Sequence, residues 1–170
     1  MAVARVNFSV IMQAVEDKLI ADAVVSDVSL ITWSVNDNVP QLSGPYDILI
    51  RARNASPISG FPTDGGAWDF RLSRHLDIYV RSQSVKDAGG GNKSWVVSHF
   101  ALSDLILNSM LAETGYGTFW PEKNGEFLTT MPIKVFTDAP PERKSDGSVW
   151  GDSVCTLEVH YMPNITPQGL

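Results

Sequence analysis

The chain is short of the residues on which most site chemistry depends. It has one cysteine, Cys155, in 170 residues, which excludes an internal disulfide and any cysteine-based zinc site. Cys155 lies in the strand-like run "SVCTLEVHYMP" and is expected to be a small buried hydrophobe. The three histidines, His75, His99 and His160, include no H-x-x-x-H pair, so helical two-histidine metal spacing is absent. There is no G-x-S-x-G nucleophile elbow, and the carboxylates are too scattered for a catalytic dyad to be named. No apolar run approaches the roughly 18 residues of a membrane-spanning helix. Lys and Arg form no cluster, and 13 basic residues face 19 acidic ones, a net charge of −6. Nucleic-acid binders usually show a basic face, so that class is disfavoured. An acidic surface is still compatible with DNA passing nearby without adhering.

The totals fit an ordinary globular domain. Hydrophobic residues make up 44% and charged residues 19%, outside the range of disordered chains. A chain of this length can form one domain and bury about 70% of its unfolded surface. The opening "MAVARVNFSVIMQAVEDKL" meets charge too early for a secretory signal. A reducing cytosol is therefore expected. The N-x-[ST] sequons at Asn7, Asn54, Asn92 and Asn164 are then coincidental.

Residues 87–94, "DAGGGNKS", superficially resemble a phosphate-binding loop. The G-x-x-x-x-G-K-[ST] pattern fits Lys93 and Ser94, but its two glycines fall on Asp87 and Asn92. Asp87 would also place a carboxylate where backbone N–H groups should meet phosphate. We read the stretch as a flexible connection, with the following helix capped at Ser98.

The rest of the chain reads as alternating elements. Phe8, Ile11, Met12, Val15 and Leu19 recur at helical spacing after Asn7, a plausible N-cap. "VSLITWS" (28–34) and "YDILIRAR" (46–53) read as strands. Residues 54–66, with two prolines and three glycines, read as a long loop. Residues 67–84 form the longest strand candidate, with a bulge expected near 76–80. Leu72 and Arg74 alternate there with Ser73 and His75. A second, largely buried helix carries Leu102, Leu105, Ile106 and Met110, widened by Phe100, Leu107 and Leu111, and stops at Gly115. A strand over 127–138 has Pro132 at a bulge or edge, 139–147 is a loop, and 148–163 is a closing strand. This order predicts one α+β domain over 1–163: a mainly antiparallel or mixed sheet with two principal helices on one face, followed by a tail over 164–170.

Arg51, Arg53, Arg71, Arg74 and Arg81 share the central strands with Asp47, Asp69 and Asp77. Both signs on one sheet region suit salt bridges, within a subunit or between subunits. His75 and Asp77 point to one strand face, and with His160 they mark where a ligand site would lie if this were a small enzyme or ligand-binding domain. The five tryptophans lack a basic groove and suit core or interface packing. The segments 54–66 and 83–94 are at the long end for connections in a compact domain.

The layout resembles the tail terminator and neck (head–tail joining, tail completion) proteins of tailed bacteriophages. The resemblance covers roughly residues 5 to 163: the helix "MQAVEDKLIADA", the strand "YDILIRAR", the long strand ending "HLDIYVRSQ", the helix near "SHFALSDLIL" and the closing "TLEVHYMP". It rests on element order and texture. It implies a virion structural protein rather than an enzyme, without cofactor or metal, assembled in the host cytoplasm into a hexameric ring. The ring would cap the tail tube, stop its polymerisation and join it to the head connector, with a sheath as a further partner in contractile tails. Genome DNA would pass through its lumen without specific binding. Subunit and partner contacts are expected at Arg51, Arg53, Trp68, Asp69, Arg71 and Arg74, and at Lys86, Asp87, Lys93 and Trp95. Each ring contact would bury on the order of 1,600 Å². Extra length at 54–66, 83–95 and 139–149 distinguishes this chain from the simplest members.

Overall fold

In a computed structural model of the chain, the apolar stripe near the N-terminus forms helix α1 (Phe8–Ala21). Ile11, Val15 and Leu19 are fully buried and Met12 nearly so. Each such side chain contributes about 2 kcal/mol of burial free energy. Asn7 occupies the N-cap position with extended backbone, but its side chain makes no capping bond. Its carbonyl accepts from the Val10 amide instead. The structure describes residues 4–22, 31–34, 46–62, 68–83, 91–111, 118–139, 142–143, 145 and 149–164.

The other elements are β1 (Arg5–Val6), β2 (Ile31–Ser34), β3 (Tyr46–Pro62), β4 (Trp68–Gln83), α2 (Gly91–Leu111), β5 (Thr118–Phe119), β6 (Glu122–Lys123), β7 (Glu126–Phe127), β8 (Met131–Asp138), β9 (Glu142–Arg143) and β10 (Val149–Pro163). The main sheet runs β2-β3-β4-β10-β8-β5, with β1 and β9 added along β10. It is mixed: β1 and β2 pair in parallel with β10 and β3, and the other pairings are antiparallel. Period-2 alternation sends Ile48, Ile50, Ala52, Leu76, Ile78, Val80, Cys155, Leu157 and Val159 to one face, where they form the core with α1 and with Ile106 and Met110 of α2. Both helices pack on that face, so the α+β architecture is as expected. β6 and β7 form a separate hairpin turning on Asn124 and Gly125, at φ 56° and 78°. A two-residue turn with both centres left-handed matches the twist of its strands.

Several boundaries differ from the sequence reading. β3 does not stop at Arg53 but runs to Pro62, through the segment expected to be a loop, because β4 is long enough to pair along it. Register shifts between Ala52 and Ala55 and between Ile58 and Phe61 absorb the extra residues. β2 pairs only with Ile48–Arg51, so Pro57 and Pro62 lie where β3 has no second partner strand among the described residues. A missing N–H is tolerated there. The bulge expected in β4 near 76–80 is absent: β4 pairs with β10 without a shift from Leu72↔Tyr161 to Gln83↔Trp150.

Helix α2 starts at Gly91, seven residues before Ser98, so Ser98 is interior rather than a cap. Gly91 sits at the terminus, where glycine costs little, and nothing from Asn92 to Val97 bars a helix. Its buried stripe is His99, Ser103, Ile106 and Met110. Leu105 and Phe100, expected inside, are 47% and 36% exposed. Helical spacing allowed either stripe, and the sheet offers polar partners to this one. The strand expected over 127–138 is split between β7 and β8, and Pro132 pairs with Thr118 at the start of β5. The loop expected over 139–147 contains β9. Gly115 and residues 165–170 lie outside the described residues, and the Asn164 amide bonds the Val6 carbonyl.

Cys155 is 2% exposed, and burial pushes its thiol up to about 12, with the Asp77 charge adding to the effect. A thiol-reactive dye is therefore expected to label the folded protein negligibly and the urea-unfolded chain fully. Rapid labelling without denaturant would show that the β4–β10 core opens.

Candidate functional site

The face of the sheet opposite the helices is lined by charge, and among the described residues no helix covers it. Because β3, β4 and β10 are in register, Arg51 stands opposite Asp77, which stands opposite Thr156. The Asp77 side chain is fully buried. Its Oδ2 accepts from Arg51 Nη2 at 2.7 Å, Arg51 Nε at 3.2 Å and Arg53 Nε at 2.7 Å. Its Oδ1 accepts from Thr156 Oγ1 at 2.8 Å. Burial alone would raise the Asp77 pKa, but the bonds from Arg51, Arg53 and Thr156 and the Arg53 charge outweigh it, and the carboxyl is held below its ordinary value.

Two further centres flank this one. Arg81 donates to both Asp152 oxygens, at 2.9 and 3.1 Å, and to Tyr79 Oη at 3.2 Å. Burial and then the Asp152 carboxylate push the Tyr79 hydroxyl up to about 12. Burial would raise Asp152, but Arg81 and Tyr79 prevail and hold it below its ordinary value. At the other end Lys134 Nζ lies 2.8 Å from Glu158, which His160 Nε2 and Ser73 Oγ also approach, at 3.0 and 3.5 Å. The Lys134 and His160 bonds bring the Glu158 carboxyl down to about 2. Lys134 owes its position to a register shift between β8 and β10, which leaves it without a paired residue.

The expected contact residues fall into three groups. Arg51 and Arg53 join Asp77 on the open face, and Arg71 is exposed. Arg74 faces the helices: its guanidinium lies 4.4 Å from the Phe8 ring centroid, and its buried Nε has no hydrogen-bond partner. Trp68 and Asp69 lie on β4, and Lys93 and Trp95 on α2, where only their backbone is described; Lys86 and Asp87 lie outside the described residues. His75 and Asp77 do share a face with His160, as alternation implied. However, Asp77 bonds arginines and a threonine, and His160 bonds Glu158. Sequence reasoning missed Tyr79, Lys134, Asp152, Thr156 and Glu158 as members of this surface. The closing strand over 148–163 was visible, but the register that sets its Thr156 and Glu158 beside β4 was not.

A cleft of about 290 Å³ lies elsewhere, between α1 at Val10, Gln13, Ala14, Asp17 and Lys18 and the segment from Phe119 to Lys123. Among the described residues, no group of three or more His, Cys, Asp or Glu could hold a metal ion. None of their helices is long and apolar enough to cross a membrane.

No family model and no curated protein matches the chain. Sixteen solved chains match it in structure. One of them, bearing no functional name, is 14% identical with a TM-score of 0.47, over 93% of this chain and 99% of its own.

Proposed function

We propose that the chain is a virion structural protein, a tail terminator or neck subunit that assembles into a ring, hexameric by resemblance, which caps the tail tube and joins it to the head connector. The observation that supports this most is the sheet face opposite the helices, uncovered by any helix among the described residues, where side chains of both signs are already fixed by mutual bonds. Long charged side chains lose rotamer freedom when an interface forms. Here much of that ordering precedes association. A ring also needs two different patches per subunit that close on rotation. The charged sheet face is one candidate and the helix-bearing side, with exposed Phe100 and Leu105, is the other. A net charge of −6 suits a lumen through which DNA slides without adhering.

Light scattering on the eluting protein, alone and with tail-tube or connector protein, tests this reading. A ring of several copies, or a stable complex with either partner, is the expected result. A protein that stays monomeric at every concentration and ignores both partners would remove the proposal. In that case the small-enzyme reading around His75, Asp77 and His160 would come forward.

A further inference from the structure

Among the described residues one buried polar side-chain atom lacks a hydrogen-bond partner, Arg74 Nε. Native proteins leave few such atoms, and each calls for an explanation. The rest of this guanidinium makes no hydrogen bond or ion pair among the described residues either. Its contact is with the Phe8 ring, whose centroid lies 4.4 Å away. A ring face attracts a cation without neutralising it. The Arg74 charge is therefore half-buried and uncompensated. Arg71 differs, because it is exposed and its charge keeps its water.

A second unpartnered donor stands beside it. Arg74 pairs with Val159, and Tyr161 lies two residues further along β10, on the same face. Long side chains reach one another across that diagonal. Tyr161 is 4% exposed, yet its hydroxyl has no hydrogen-bond partner among the described residues. Buried tyrosine hydroxyls usually find one. Burial raises the Tyr161 pKa and the Arg74 charge opposes the rise, so the two groups feel one another and the hydroxyl stays a donor. The Phe8 ring, 5.2 Å from the Tyr161 ring, is a wall common to both. Phe8 also opens α1, whose first turn carries no acidic residue and whose Asn7 makes no side-chain cap. No carboxylate of that turn offsets the positive helix end, which adds to the Arg74 charge.

We infer that Arg74, Tyr161 and the Phe8 ring form a binding site for a small oxyanion, a phosphate or a carboxylate group. Nε is closed to solvent, so the two terminal nitrogens take the anion, in the paired geometry that a guanidinium offers to two oxygens. The Tyr161 hydroxyl donates a third bond, and stacking on Phe8 holds the guanidinium plane. A water molecule accepts from such donors but leaves the charge uncompensated. An anion does both, and partial burial strengthens the attraction. The site lies on the helix side of the sheet, away from the Asp77 cluster, and does not depend on assembly.

The test titrates the folded protein with inorganic phosphate and, separately, with acetate, at constant ionic strength made up with chloride. NMR follows the Arg74 Nε–H resonance. Saturable movement of that resonance with at least one of the two is the expected result, and the tighter of them names the group as phosphate or carboxylate. In calorimetry, Arg74→Met is expected to weaken binding about tenfold or more, and Tyr161→Phe about threefold. Arg71→Met should bind as wild type does, because a surface guanidinium alone is not the site. Tyr161→Phe keeps the core filled, so with the wild-type resonance it decides the question if Arg74→Met fails to fold. An Arg74 resonance that neither anion moves beyond the effect of chloride overturns the inference. So does binding retained in both Arg74→Met and Tyr161→Phe, or weakened equally by Arg71→Met.

Discussion

Asp77→Ala is expected to destabilise the folded protein by about 3–5 kcal/mol, the usual cost of removing one partner from a buried charged cluster. The carboxylate accepts four bonds, three from two guanidinium groups and one from Thr156. Without it, Arg51, only 14% exposed, keeps its charge in a poorly hydrated place, and Thr156 loses the acceptor of its hydroxyl. Asp77→Asn keeps the shape and one acceptor oxygen but removes the charge, so a smaller loss, about 2 kcal/mol, is expected. Urea unfolding of the two variants and wild type measures both. An alanine variant within 1 kcal/mol of wild type would mean that the cluster adds little to stability, as exposed ion pairs often do. The pH dependence has a definite sign. The folded pKa lies below the ordinary 3.8, so the unfolded chain takes up this proton first. The contribution is complete above pH 3.8 and is lost only as pH falls through the lower folded value. Mild acid should leave the cluster intact.

How far the sequence revealed this arrangement depended on the range of the forces involved. The α1 stripe from Phe8 to Leu19 was legible because helical periodicity is local, and the alternation of β10 was legible for the same reason. The pairing of Arg51 and Arg53 with Asp77 was half legible: both signs were visible on neighbouring strands, but which oxygen meets which nitrogen depends on a register set some 25 residues away along the chain. The extension of β3 to Pro62 was hidden because local turn signals, two prolines and a glycine between Asn54 and Pro62, are overridden once a long antiparallel partner is available. The buried stripe of α2 was read only in part for a related reason: Ile106 and Met110 are buried as expected, but Leu105 and Phe100 are not. Leu105 looks more interior than His99 or Ser103 by hydrophobicity alone. The outcome reverses because Ser82, Ser153 and Asp138 are placed to bond the polar pair. A buried polar group with partners costs little, and periodicity cannot report partners.

His99 is the position where that polar choice should be most visible in experiment. Its ring is 2% exposed, with Nδ1 2.5 Å from Ser82 Oγ on β4 and Nε2 2.9 Å from Ser153 Oγ on β10. It therefore ties α2 to two central strands. In the neutral ring one nitrogen donates and the other accepts, and each hydroxyl can play either role. His99→Leu removes both bonds and leaves two buried hydroxyls unpartnered, for an expected loss of about 2–4 kcal/mol near neutral pH. Burial depresses the folded pKa of His99 below 6.5, although the charges of Asp138 and Asp152 pull the other way. The unfolded chain thus takes up the proton first, and stability rises with pH through this window. The His99 contribution is complete above pH 6.5 and is lost as pH falls through the folded value. Wild type should therefore lose urea resistance between neutral pH and pH 5. His99→Gln can still donate and accept without titrating, and should hold its midpoint over that interval. An equal acid-induced loss in the glutamine variant would assign the effect to another group and leave His99 as a neutral link between helix and sheet.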